Sequence, residues 1–77
     1  MRAVKTNMKV ERVRSGLTAK QIANAVGVTE NVIYAWERGE YEPRAANIVA
    51  LAHLYGCSPD YLLGLTNDRT AFQSVNS

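Results

Sequence analysis

Cysteine and histidine are scarce in this sequence, with one residue of each among 77. A single cysteine, Cys57, can form no internal disulfide, which fits a reducing cytoplasm better than an oxidising compartment. His53 lies four residues before Cys57, but two ligands fall short of the four that are usual at a structural zinc. We therefore expect no metal and no other cofactor, with Cys57 as a small core residue and His53 as a helix-surface or packing group.

Long apolar runs are also missing. The longest stretch without a charged residue, 45–59, has 15 residues and includes polar side chains, whereas a bilayer span needs about 20 mostly apolar ones. Charged residues interrupt the N-terminal region where the apolar part of a secretion signal would lie. We therefore do not expect a membrane protein, and we expect a cytoplasmic location.

Catalytic patterns are absent as well. Ser15, Thr18 and Ser58 have no plausible histidine base nearby in sequence, and no glycine-rich phosphate loop is present. The 77 residues are enough for one small domain and too few for an additional catalytic or ligand-binding domain of usual size. We expect no enzymatic activity.

Charge is distributed unevenly along the chain, although the net charge is only +2. Residues 1–29 contain six basic residues and one acidic residue, a net charge of +5. Residues 30–77 contain three basic and six acidic residues, a net charge of −3. A basic half favours a polyanionic partner, but an ordinary solvated surface explains many such imbalances.

Helix-start and helix-stop residues predict an all-α fold of five helices. The second helix has the clearest signals, because Thr18 and Gln21 can form a capping box at its start. The predicted helices run from about Asn7 to Ser15, from Thr18 to Gly27, from Thr29 to Arg38, from Arg44 to Tyr55, and onwards from Ser58. We expect residues 1–6 to be an N-terminal extension, 7–65 the folded domain and 66–77 a flexible tail.

Residues 19–38 carry the most specific pattern, because two short helices joined around a glycine must pack at a steep angle. Ala23 is small where the helices would cross, and Gly27 permits the positive φ of a tight turn. Apolar residues occupy the points that must face a common core, namely Ile22, Val26, Val28, Ile33 and Trp36.

With its flanking motifs, this segment resembles the helix-turn-helix of the phage-repressor and Cro type, or Xre-like, family over about residues 8–64. The motifs are Gly16-Leu17-Thr18, Ile22-Ala23, Gly27-Val28-Thr29, Trp36-Glu37-Arg38-Gly39, Pro43, Leu51-Ala52 and Asp60-Tyr61-Leu62-Leu63-Gly64. The resemblance implies a five-helix repressor-like bundle whose third helix enters the DNA major groove with its N-terminal residues near base edges.

A helical wheel of the third helix places Trp36 and its apolar neighbours on one side. The opposite side, with the first turn, is expected to read bases and consists of Glu30, Asn31, Tyr34, Ala35 and Arg38. Asn31 can pair with adenine, Glu30 can accept from a cytosine amino group, and Tyr34 or Ala35 can touch a thymine methyl. First-turn polarity would equally explain Glu30 and Asn31, and Tyr34 could simply cover its neighbours.

Phosphate contacts are expected where helix N-termini offer unpaired N–H groups. Thr18 and Thr29 start two such helices, and Lys20 lies on the first turn of the second helix. Arg44 stands where members of the similar family often contact the backbone or minor groove. Ala19 replaces a glutamine that is common in that family, which removes one contact. The predicted phosphate-binding set is Thr18, Ala19, Lys20, Thr29 and Arg44, although ordinary surface charge would also explain Lys20 and Arg44.

The resemblance also implies a structural ion pair between Arg12 and Glu37, bridging helix 1 to the end of helix 3. Glu11 departs from the similar family, in which an apolar residue is usual at this point of the first helix. The departure leaves the inner face of helix 1 to be shared among Met8, Val10 and Val13.

These features favour a sequence-specific double-stranded DNA-binding regulator of transcription, a small repressor of bacterial, phage or mobile-element origin. One recognition helix covers only a few base pairs, so we expect a homodimer on DNA. Its pairing surface would use the C-terminal apolar residues Leu62, Leu63, Leu65 and Phe72. The alternative is a protein-interaction module, such as an antitoxin partner of a toxin or an adaptor, which the acidic loop 40–42 supports.

Overall fold

Five helices follow one another in the computed structural model, which describes residues 6–70. They are α1 (Met8–Ser15), α2 (Ala19–Val26), α3 (Glu30–Arg38), α4 (Ala45–Tyr55) and α5 (Pro59–Leu62). No strand occurs within residues 6–70, and the predicted all-α, five-helix fold is confirmed. Most of the predicted N-terminal extension and the last residues of the predicted tail lie outside the described part.

The junction between α2 and α3 depends on two local features. The Thr18 hydroxyl oxygen accepts from the Gln21 N–H at 3.0 Å, and the Gln21 amide oxygen accepts from the Thr18 N–H at 2.9 Å, which completes the predicted capping box. Gly27 ends α2 with a φ of 82°, a conformation that strains residues carrying a Cβ. The short turn that sets the angle between α2 and α3 therefore requires glycine at this point.

The core lies where α2, α3 and α4 meet, with α1 and α5 packed against it. Its centre is apolar and includes Ile22, Ile33, Trp36, Leu51 and Leu62. Because Leu62 is fully buried, its predicted part in a dimer surface is wrong. Leu63 is half-buried and Leu65 is exposed, while Phe72 lies outside the described residues.

The inner face of α1 differs from the prediction. Met8 is buried as expected, but Val10 and Val13 are more than half exposed, with relative exposures of 55% and 65%. Glu11 takes the inner position instead and is 1% exposed. A buried carboxylate is costly unless it is paired and hydrogen-bonded, so this arrangement needs a cation nearby.

Arg69 is that cation. Its Nη2 lies 2.6 Å from Glu11 Oε1 and also donates to the Tyr55 carbonyl oxygen at 3.2 Å. The Tyr61 hydroxyl donates to Glu11 Oε2 at 3.1 Å, and the Ser58 N–H donates to the Arg69 carbonyl oxygen at 2.6 Å. The segment around Arg69 is thus bound to the helical bundle, although a flexible tail was predicted from residue 66 onwards.

Candidate nucleic-acid interface

The start of α2 presents backbone and side-chain donors to solvent. The first N–H groups of a helix have no intrahelical acceptor, so those of Ala19 and Lys20 are available to an anion. The Lys20 side chain is exposed, as is that of Thr18, whose hydroxyl oxygen already caps the helix. The Ala19 side chain is only 2% exposed. Its methyl group belongs to the core, which limits the predicted phosphate contact of Ala19 to the backbone N–H.

The start of α3 is equally open. Thr29 is the N-cap, with extended backbone, but its side chain makes no capping hydrogen bond. Thr29, Glu30 and Asn31 are all exposed. The Thr29 hydroxyl and the first-turn N–H groups can therefore donate hydrogen bonds to a phosphate. The Glu30 carboxylate and the Asn31 amide extend from the same turn.

Ala35 is not part of the exposed face of α3, because it is only 5% exposed. The buried or partly buried arc of the helix runs from Ala35 through Val32 and Trp36 to Ile33, and Glu37 lies on the far side of Ile33. A side chain of one methyl group within this arc cannot extend to a base edge. The prediction that Ala35 touches a thymine methyl is therefore wrong.

Tyr34 is half-buried and is held by α1. The guanidinium carbon of Arg12 lies 5.4 Å from the centroid of the Tyr34 ring, within the range of a cation–π contact. The ring also packs against the core. Tyr34 thus reaches the surface of α3 in an orientation that a residue of another helix fixes.

Arg12 also forms the predicted ion pair with Glu37. Its Nε lies 2.7 Å from Glu37 Oε2, and its Nη2 lies 3.0 Å from Oε1, which makes the contact bidentate. The side chains are 18% and 6% exposed, respectively. The hydrogen bonds to Glu37 raise the pKa of Arg12, which keeps the guanidinium charged. This pair ties α1 to the last turn of α3 and keeps the helix that carries Asn31 in place.

Arg38 and Arg44 lie beyond the first turn of α3. Arg38 is exposed at the end of α3, where it makes a bidentate contact with Glu40 at 2.6 and 3.1 Å. Arg44 is the N-cap of α4, and its exposed side chain makes no capping bond. Arg44 is therefore available to a phosphate, whereas Arg38 must first exchange its carboxylate partner.

Sequence reasoning missed the role of Arg69. This residue binds the buried Glu11 on α1, next to Arg12, which holds α3 through Glu37. Glu11 was the available signal, since a carboxylate on the inner face of a helix requires a partner.

Cys57 is buried in the core and His53 is exposed, as expected. Burial raises the pKa of the Cys57 thiol, which keeps it protonated and unreactive.

Within residues 6–70, no three His, Cys, Asp or Glu side chains are grouped so that they could hold a metal ion. None of the helices described there is sufficiently long and apolar to cross a membrane.

Comparison with known proteins gives consistent matches. A family model described as helix-turn-helix matches residues 8–62. Repressor protein C2 of Salmonella phage P22 is 38% identical over 76 residues, which cover 90% of this chain and 35% of that protein. The HTH-type transcriptional regulator ImmR of Bacillus subtilis (strain 168) is 33% identical over 57 residues, 74% of this chain and 45% of that protein. The chain thus spans less than half the length of these curated relatives.

A solved structure is also similar. The crystal structure of the P22 c2 repressor protein in complex with synthetic operator 9T, in the presence of Tl+, superposes with a TM-score of 0.75 and 32% sequence identity. The match covers 86% of this chain and 100% of that one. The α2–α3 arrangement, the family model and these relatives agree. The chain belongs to the helix-turn-helix family of the Cro/C1 type.

Proposed function

We propose that the chain binds double-stranded DNA sequence-specifically and regulates transcription as a small repressor of bacterial, phage or mobile-element origin. The observation that carries the proposal is the exposed start of α3, where Thr29, Glu30 and Asn31 stand in solvent while the rest of the helix is anchored in the core. The similarity to a repressor solved with its operator supports the same conclusion. We also propose that the protein is cytoplasmic and has no enzymatic activity.

In this proposal the first turn of α3 enters the major groove. The Asn31 amide can pair bidentately with adenine, and the Glu30 carboxylate can accept from a cytosine amino group. Tyr34 offers its ring to a thymine methyl in the orientation that Arg12 fixes. Arg38 would contact DNA only by exchanging Glu40 for a base or phosphate, so we place it at the margin of the reading face.

Phosphates are expected at the starts of α2 and α3 and at Arg44. The N–H groups of Ala19 and Lys20, with the Lys20 ammonium, form one contact, and the hydroxyl and first-turn N–H groups at Thr29 form another. Positive potential at helix N-termini favours both. The acidic loop, which favoured an interaction module instead, is partly neutralised because Arg38 holds Glu40. A toxin or antagonist partner remains a prediction.

Binding should weaken steeply as salt concentration rises, because neutralising a phosphate releases counterions. Each neutralised phosphate should lower the logarithm of the binding constant by about 0.9 for each log unit of salt. Arg44→Ala is expected to weaken binding to DNA of every sequence by a similar factor and to reduce that slope by about 0.9. Fluorescence anisotropy between about 50 and 200 mM salt measures both effects. Arg14→Ala is the control, since Arg14 is an exposed arginine on α1 that is not in the proposed phosphate-binding set. An unchanged slope in Arg44→Ala would remove that residue from the phosphate set.

Asn31→Ala and Glu30→Ala should instead change which sequence is preferred. A lost base-edge contact costs about 1 to 3 kcal/mol at one base pair and little elsewhere. Selection of bound duplexes from a random pool, performed for the wild type and for each variant, shows the change directly. Asn67→Ala, at an exposed asparagine after α5, should return the wild-type motif. Recovery of that same motif from the Asn31 and Glu30 variants would contradict their role as readers.

A further inference from the structure

The last turn of α3 carries an arginine on the side of the helix that is expected to face DNA. Successive residues of a helix are about 100° apart, so Tyr34 and Arg38 project from the same side as Asn31, one and two turns further along. The rise between Asn31 and Arg38 is about 10 Å along the helix axis. A guanidinium at that distance from the first turn is suited to a phosphate at the edge of the groove.

Glu40 occupies the donors of that guanidinium. Arg38 Nε lies 2.6 Å from Glu40 Oε2, and Arg38 Nη2 lies 3.1 Å from Glu40 Oε1. Carboxylates and phosphates both bind the paired, parallel N–H groups of an arginine, so one anion excludes the other from this edge of Arg38. Arg44 differs, because none of the ion pairs found in the described part of the chain includes it.

The turn after α3 holds the Glu40 carboxylate beside Arg38. Residues two apart in a helix do not face each other, so this pair depends on Gly39, which ends the helix with a φ of 80°. The Gly39 N–H donates to the Trp36 carbonyl oxygen at 3.1 Å, and the Glu40 N–H donates to the Ala35 carbonyl oxygen at 3.0 Å. The backbone of Glu40 is therefore fixed, and only its side chain has to move to release the guanidinium.

Two other bidentate arginine pairs within residues 6–70 have a different role. Arg12 binds Glu37 and Arg69 binds Glu11, and each pair connects distant elements through a carboxylate side chain that is only 6% or 2% exposed. The Arg38 and Glu40 side chains are 57% and 52% exposed and connect only neighbouring residues. Exposed ion pairs are weak, so this contact can be exchanged without disturbing the bundle.

We propose that Glu40 competes with DNA for Arg38, holding the guanidinium in the free chain and releasing it to a phosphate of the bound duplex. The inference rests on the proposed function and identifies a residue that lowers the affinity of the same site. Apparent affinity is reduced in proportion to the fraction of molecules in the binding-competent form, which here is the form with Arg38 released. The acidic side chain after α3 is thus an intramolecular substitute for a DNA phosphate.

A double-mutant cycle on DNA tests the competition. Glu40→Gln should strengthen binding to a duplex recovered by selection, measured by fluorescence anisotropy, because it frees Arg38. It also removes a negative charge near DNA, and the same substitution in an Arg38→Ala background measures that general effect alone. The gain in affinity should be about two- to fivefold larger with Arg38 present, the range of an exposed ion pair. Both side chains are exposed, so circular dichroism should show the same fold in every variant.

Carbon NMR of the Glu40 carboxyl group reports the exchange itself. In the free chain the hydrogen bond from Arg38 holds the pKa of this carboxyl below 4.5, and Arg38→Ala should raise it. At neutral pH, adding the duplex to the wild type should move the Glu40 carboxyl signal towards its position in free Arg38→Ala, because the same partner has been lost.

The outcomes separate this inference from the proposed function. Equal gains from Glu40→Gln in the two backgrounds, a Glu40 pKa that Arg38→Ala leaves unchanged, or a Glu40 signal that does not respond to a bound duplex overturns the competition while the proposed function stands. If neither the wild type nor Glu40→Gln binds any duplex, the proposed function fails and the competition fails with it.

Discussion

Arg69→Met is expected to destabilise the domain by about 3 to 5 kcal/mol, the usual cost of leaving one member of a buried ion pair without its partner. Glu11 is 1% exposed, and Arg69 supplies its shortest hydrogen bond. Native proteins have only about 5 to 15 kcal/mol of stability, so the variant should lose a large fraction of the total. Urea denaturation followed by circular dichroism measures the loss.

The double variant Glu11→Leu/Arg69→Met provides the control. Replacing a buried ion pair by apolar residues of similar volume is often neutral or stabilising, so stability should return to near the wild-type value. A loss below about 1 kcal/mol in Arg69→Met, the range of exposed pairs, would contradict the role given to Arg69.

The effect of Arg69→Met should depend on pH. Burial raises the pKa of Glu11, but hydrogen bonds from Arg69 and Tyr61, with the charges of Arg69 and Arg14, outweigh it and leave the pKa below 4.5. A lowered carboxyl pKa stabilises the fold above the unfolded-state pKa and loses that contribution as pH falls through the folded-state value. The unfolded-state pKa is common to both proteins, so the difference between them should be largest above the pKa of Glu11 in the variant, which lacks the Arg69 contacts, and should shrink as pH falls from there to the lower pKa of Glu11 in the wild type.

Arg12→Met should also cost about 3 to 5 kcal/mol, because it leaves a carboxylate that is 6% exposed without its cation. Arg14→Met is the matched control on the same helix. Arg14 is 61% exposed and lies 4.0 Å from Glu11, so its loss should cost less than about 1 kcal/mol. Chemical denaturation of both variants makes the comparison, and equal losses would contradict the bridging role of Arg12.

Arg12→Met should alter DNA reading in addition to stability. It removes the cation above the Tyr34 ring, whereas Glu37→Gln breaks the ion pair and leaves that contact in place. Selection of bound duplexes should therefore show a relaxed preference at the base pair nearest Tyr34 for Arg12→Met alone. The same motif from both variants would mean that Arg12 acts on α3 only through Glu37.

Local signals predicted the α2–α3 unit well. Thr18, Gln21 and Gly27 act within a few residues of one another, so their roles can be inferred from the sequence. The same applies to the stops at Gly39 and Gly56, each with a positive φ. The pairing of Arg12 with Glu37 spans 25 residues and was implied by the resemblance rather than by any local pattern.

Long-range partners explain what the sequence did not predict. Glu11 could not be placed because its partner, Arg69, is 58 residues away in a segment without apolar periodicity. Val10 and Val13 were expected to share the inner face of α1 with Met8 because Glu11 replaces the apolar residue that is usual there in the similar family. Ala35 sits at the edge of the buried arc of α3, where a helical wheel alone does not define the border.

We propose that the exposed starts of α2 and α3 bind duplex DNA. The most direct measurement is an amide NMR titration of the chain with a duplex recovered by selection. We expect the largest amide shifts at residues 18–20 and 29–34 and at Arg44, and small shifts around the buried Cys57. Absence of binding, or shifts concentrated around Val49 and Cys57, would contradict it.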